Sequence, residues 1–189
     1  MIKLFFLSVI ISTTFGFFPP NGIDFEDKIL LKELQKVSGA DMPGRKELPI
    51  PETLNAHQTV HGKFFELSET ANQGIKKYIY VGRVNSCRQG GCSNSRQAVV
   101  TEATEYFDYF IVFEPNLSVQ QVKVYNYQAS HGQEITNKGW LKQFQGHNGG
   151  RPLTVGKNID GISGATISVQ AVTADIAEKT KLLKLVVSR

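Results

Sequence analysis

Ser163-Gly164-Ala165-Thr166, with Asp160-Gly161-Ile162 before it, is the stretch of this 189-residue chain whose residue types and order could do chemistry. Behind it, Ala165, Val169, Val172 and Ile176 recur at helical spacing, so the small residues stand where a long helix begins. With Ser163 as the cap, Thr166 takes the third helical position, and the N–H groups of residues 164 to 166 have no acceptor inside the helix. Such a terminus draws phosphate through its free donors and the positive end of the helix dipole. A threonine there can carry a phosphate ester whose charge is already compensated. Gly164 and Ala165 leave room for a modifying enzyme, and Asp160 holds the preceding turn or is read by that enzyme. The plainer reading is that Asp160 and Ser163 only cap the helix. The acidic turn at a fixed offset, the further hydroxyl at Ser168 and the amphipathic helix behind them favour the chemical reading.

Cys87 and Cys92 are the only two cysteines, in the string NSCRQGGCS. Gly90-Gly91 between them allows a tight loop in which the sulfurs meet, and so small a ring stabilises by roughly 2 kcal/mol. An oxidised loop staple, a reactive dithiol and a metal-ligand pair all stay open, whereas the spacing is neither C-x-x-C nor C-x-x-C-H. His57 and His61 share a face only on a helix, and their segment reads as a strand entry, so they are taken as surface histidines rather than metal ligands.

The elements that must position these residues follow from periodicity. GIDFEDKILLKELQKVSG places Phe25, Ile29, Leu30, Leu34 and Val37 near helical spacing, with Asp24 as a cap and Gly39 as a stop. Pro43, Gly44, Pro49 and Pro51 then mark a linker or extended surface segment. TVHGKFFEL, KKYIYVGRV, YFDYFIVFE and VQQVKVYNY read as strands; the third is apolar at nearly every position, and the last alternates, with EPNLS as a hairpin connection between those two. Trp140, Leu141 and Phe144 mark a short helix that runs into a Gly-rich loop, with Trp140 as a packing residue. The final KLLKLVVS either extends the last helix or adds a strand. The expected class is α+β: a twisted, largely antiparallel sheet packed by helices, with a C-terminal helix beginning at the Ser-Gly-Ala-Thr run.

An apolar fraction of 41% and a charged fraction of 20% are those of an ordinary globular protein. The net charge of +4 comes from scattered lysines and arginines without a basic run, which argues against a nucleic-acid partner. MIKLFFLSVIISTTFGFFPP, one lysine and then an apolar run ending in Pro-Pro, reads as a secretory signal peptide cut near Gly16; an uncleaved membrane anchor is the alternative. The expected organisation is a signal peptide over 1–16, a helix and Pro-rich linker over 17–56, and one domain over 57–189.

Asp160-Gly161-Ile162-Ser163-Gly164-Ala165-Thr166 resembles the signature of the FMN-binding domain family, whose members include flavin-carrying components of the sodium-translocating NADH:quinone oxidoreductase and of the Rnf complex. His131-Gly132-Gln133-Glu134-Ile135 and the aromatic stretch from Trp140 to Phe144 are similar to the upstream part of small members, so the likeness covers roughly residues 57 to 181. The resemblance implies that Thr166 is esterified to the phosphate of FMN by a separate flavin transferase that uses FAD and magnesium. It also implies that His131 and Glu134 contact the flavin or its phosphate. What it implies of function is an extracytoplasmic, periplasmic electron carrier rather than a stand-alone enzyme, exchanging electrons with donor and acceptor proteins, membrane-bound ones included. The chain departs from the complex-bound members in lacking their long anchor, which favours a soluble carrier, and in its cysteine loop. Two readings from other classes stand beside it: a secreted, cofactor-free interaction module, and a thiol–disulfide protein built on Cys87 and Cys92.

Overall fold

The computed structural model describes residues 22–38, 44–55, 60–68, 76–86 and 105–188. In chain order they form helix α1 (Lys28–Ser38), strand β1 (Arg45–Leu48), the single turn α2 (Glu52–Asn55), β2 (Gly62–Ser68), β3 (Lys76–Asn85), β4 (Tyr106–Phe113), β5 (Val119–Tyr127), the short helix α3 (Lys138–Leu141) and the long helix α4 (Thr166–Val187). The strands make one antiparallel sheet in the order β1-β2-β3-β4-β5. The class is therefore α+β.

All four expected strands form, and the apolar one, β4, is central to the reason. From Phe107 to Phe113 every residue is buried, because the sheet is covered on both faces. One face carries Phe64, Tyr80, Tyr109 and Ile111 against Val169, Val172 and Ile176 of α4 and Leu141 of α3. The other carries Phe65, Ile79, Val81 and Phe110 against Leu30 and Leu34 of α1. The Glu114–Ser118 connection is the expected hairpin, with the Glu114 amide donating to the Ser118 carbonyl at 2.8 Å. The ambiguous C-terminal run continues α4 to Val187, where Leu182 and Leu183 reach the core.

Two local expectations change. The segment between Pro43 and Pro51 holds a strand: Arg45–Leu48 pairs with β2 as an edge. Four mostly charged residues carry no alternating apolar signal, and only the free side of β2 makes them a strand. The cap of α1 is Asp27, whose Oδ1 accepts from the Ile29 and Leu30 amides at 2.7 and 3.3 Å, whereas Asp24 closes the turn before it through the Glu26 amide. Gly39, the expected stop, lies outside the described residues, as do His57 and the 1–16 leader.

Gly82 and Gly62 face the ring of Tyr80. A Cβ on Gly82 would lie 2.4 Å from Tyr80 Cζ, and one on Gly62 would lie 2.7 Å from its hydroxyl. The two glycines, Gly62 on β2 and Gly82 on the tyrosine's own strand β3, leave the space that the fully buried ring fills. Gly82→Ala is expected to destabilise the protein by about 1–3 kcal/mol through overpacking, read as a lower urea midpoint with an unchanged slope.

Burial pushes the phenols of Tyr80, Tyr109 and Tyr125 above their usual 10.0, reinforced by Asp175 for the first two and Asp108 for the third. A folded pKa above the unfolded one gives stability that is full below the unfolded value and lost as pH rises past it. Urea unfolding at about pH 9 and about pH 11 is expected to show lower stability at the higher pH, and replacing all three tyrosines by Phe should flatten that fall.

Candidate functional site

The Ser-Gly-Ala-Thr run ends in an uncapped helix. α4 begins at Thr166 with Ala165 as its N-cap, and that residue offers no side-chain bond to the first turn. The first backbone bond within the helix runs from the Val169 amide to the Ala165 carbonyl at 2.9 Å. The N–H groups of Thr166, Ile167 and Ser168 therefore have no acceptor in the helix. This corrects the expectation that Ser163 is the cap and that Thr166 stands third: Ser163 is exposed, two residues before the cap, and Thr166 is the first helical residue. The cause is Gly164, whose φ of 82° turns the chain in a way that a helix cannot continue. A side chain there would meet nothing within 4 Å, so the approach to Thr166 is open.

Thr166 itself is exposed and lines a cavity of about 240 Å³ together with Gly164, Ala165, Ser168, His131, Glu105 and Ser86. Four of the expected site residues are thus brought together, one of them from a turn 35 positions upstream of the threonine. The ends of two strands complete the wall: β3 and β4 pair Asn85 with Tyr106, and the Ser86 amide donates to the Glu105 carbonyl at 2.7 Å. Glu134, Asp160, Gly161 and Ser163 do not line this cavity. Cys87 and Cys92 lie outside the described residues.

A hydrogen-bonded shelf sets the height of the cavity wall. Tyr127, at the end of β5 and stacked on Phe107 with ring centroids 5.7 Å apart, donates its proton to the His131 carbonyl at 2.5 Å. Its oxygen also lies 3.3 Å from Ser168 Oγ, and with its own proton used, it accepts there. Ser168 is buried and lies 3.4 Å from Ser86 Oγ as well. Burial raises the Tyr127 phenol, opposed by its bond to Ser168 and aided by Glu105 and Glu134, so it stays a donor at neutral pH. On the outer side Glu105 accepts from the Ser130 amide and hydroxyl, and Ser130 Oγ lies 3.1 Å from His131 Nδ1.

The acidic turn is held from behind. Trp140 Nε1 donates to the Asp160 carbonyl at 2.9 Å, and Gln143 Oε1 accepts from the Asp160 amide at 2.8 Å. Both backbone groups of Asp160 are fixed by the aromatic stretch, while its carboxylate stays exposed. Trp140 packs on Phe144 as well, so the tryptophan is both a core residue and a clamp. Tyr127, Ser86, Glu105 and Gln143 are site residues that sequence reasoning passed over. Pairing β3 and β4 as a hairpin would have placed Ser86 beside Glu105, but nothing local marks Gln143 or Tyr127.

The residues present fit the phosphate end of FMN. Three N–H donors without an acceptor among the described residues stand at the start of a 22-residue helix, at its positive end, bulk is absent at 164, and a histidine and serine hydroxyls line the same cavity. No curated protein and no solved structure matches the chain. A family model described as the FMN-binding domain matches residues 99–179, a span that contains β4, β5, α3, the clamped turn and the first fourteen residues of α4. Over that span the chain is similar to the FMN-binding domain, the family that its threonine motif resembles.

Proposed function

We propose that this protein is an extracytoplasmic electron carrier whose FMN is tied through a phosphoester to Thr166. The observation that carries the reading is the uncapped start of α4, with an exposed threonine beside three N–H groups that have no acceptor among the described residues. The bond is made from FAD by a flavin transferase with magnesium: the Thr166 oxygen takes the FMN phosphoryl group, AMP leaves, and the hydroxyl proton goes to the transferase. The dipole of α4 and the amides of its first turn then hold the remaining phosphate charge. The bound flavin supplies one- and two-electron transfer, and the protein supplies its position. His131, fixed through its carbonyl by Tyr127, and Ser168 shape the wall that the cofactor meets. A covalent link suits export, because a dissociable FMN is lost by dilution outside the membrane. Donor and acceptor are redox proteins of the same compartment, membrane-bound ones included. Among the described residues no helix is long and apolar enough to cross a membrane.

The test is co-expression with a flavin transferase, export, and mass analysis of the peptide that holds Thr166. One FMN phosphoryl adduct on that residue is expected; an unmodified peptide from folded, exported protein refutes the assignment.

The clamp makes a second expectation specific. Trp140→Phe keeps most of the apolar ring and removes the bond to Asp160, and Gln143→Ala removes the other. The pair is expected to slow flavin attachment about tenfold or more, since about 1 kcal/mol per bond is lost from holding the acceptor loop. Hydrogen exchange at residues 158–164 should rise in the same variant while that of the sheet stays unchanged.

A further inference from the structure

On the outer strand of the sheet, away from the threonine, a cavity of about 220 Å³ runs along β5 between α1 and α3. Four lysines from three elements line it: Lys36 of α1, Lys123 of β5, and Lys138 and Lys142 at or beside α3. One acidic residue, Glu33, lines it with them. Glu33 Oε1 holds Lys123 at 2.9 Å and Lys36 at 3.0 Å, and its other oxygen accepts from Gln121 at 3.4 Å. The side chains of Glu33 and Lys123 are only 12% and 20% exposed, so these charges are fixed in place rather than free in solvent. Burial would raise the Glu33 carboxyl, but the bonds from Lys123, Lys36 and Gln121 outweigh it and lower it to about 2. It stays ionised at any physiological pH, and one anion is set against four cations.

Lys138 and Lys142 are four positions apart on one helical turn and form no ion pair among the described residues. Like charges at that spacing repel and disfavour the helix. A second anion between them and Lys123 would remove that repulsion, with little side-chain entropy left to lose at the part-buried Lys123. We propose that this groove binds a small polyanion, a molecule with two or more phosphate or carboxylate groups. The apolar floor from Val122 and Leu141 and the walls on both sides suit a compact molecule of pyrophosphate or citrate size. The site is separate from the threonine cavity, shares no lining residue with it, and does not depend on the flavin reading.

Calorimetric titration of the purified full chain with pyrophosphate and, separately, with citrate, at low salt, tests the assignment. Saturable binding of one equivalent of either anion is expected, weakened about tenfold or more by Lys138→Gln with Lys142→Gln. The exposed lysines Lys157 and Lys181 lie outside the groove, and changing both to Gln should leave the affinity unchanged. A titration with no saturation for either anion overturns the proposal. So does an equal loss in the Lys157/Lys181 variant, which would make the attraction one of overall charge.

Discussion

Thr166→Ala is expected to yield a folded, exported protein with no covalent flavin, against full attachment in the parent chain. The substitution removes the proposed acceptor oxygen, so the expected loss is complete rather than graded. It should cost little stability, because the threonine is exposed at the first position of α4 and makes no cap. Alanine is a good helix former, and surface changes of this kind fall within about 0.5 kcal/mol. Thr166→Ser separates the oxygen from its setting: the hydroxyl remains, and attachment should persist at a reduced rate. Peptide mass together with visible absorbance reads both variants, and far-UV circular dichroism shows whether α4 survives. Flavin on a residue other than 166 in the alanine variant would contradict the proposed acceptor.

The second large effect concerns Asp108, a carboxylate in the middle of the most buried strand. Its side chain is 1% exposed and that of Arg83 is 12% exposed. Arg83 donates to both carboxylate oxygens, at 2.7 and 3.0 Å, and Asn126 donates to Oδ2 at 2.8 Å. The three residues stand in register across β3, β4 and β5, forming a polar row through an apolar sheet. Arg83 also lies over the Tyr106 ring at 3.6 Å and reaches the Gly22 carbonyl. Asp108→Ala takes the carboxylate partner from the guanidinium and leaves a void, and breaking one partner of a buried pair costs about 3–5 kcal/mol. Against a typical total of about 5–15 kcal/mol, that is enough to leave part of the protein unfolded on mild warming. Urea unfolding measures it. Arg83→Met with Asp108→Leu removes the charges together and should recover most of the loss; failure to recover would show that the row does more than balance charge. Register is the further role that the row suits, because slipping any of the three strands separates the matched groups.

Much of this architecture is legible in residue order, and the misses have a common form. The strands betray themselves by branched and aromatic residues, and α4 by a stripe repeating every 3.6 residues, because burial of one face is a local, periodic demand. The motif at Thr166 is legible because its residues are consecutive. β1 escapes because an edge strand of four residues exists only through its neighbour. The cap at Ser163 fails because several residues there could serve, and the choice falls to the backbone turn at Gly164. His131 meets Thr166 only by way of β5, and Trp140 and Gln143 reach Asp160 across 20 and 17 positions. The side chain that seals the shelf, Ser168, meets Ser86 across 82 positions.

Residue order alone determined the α+β class, the long C-terminal helix and the threonine offered at its start, since each depends on neighbours within a turn or two. Packing decided what surrounds that threonine: which strand ends wall it in, which helix holds its acidic turn, and that α1 closes the far face of the sheet. Such contacts join residues whose separation along the chain carries no period, so they exist only once the sheet has brought its ends together.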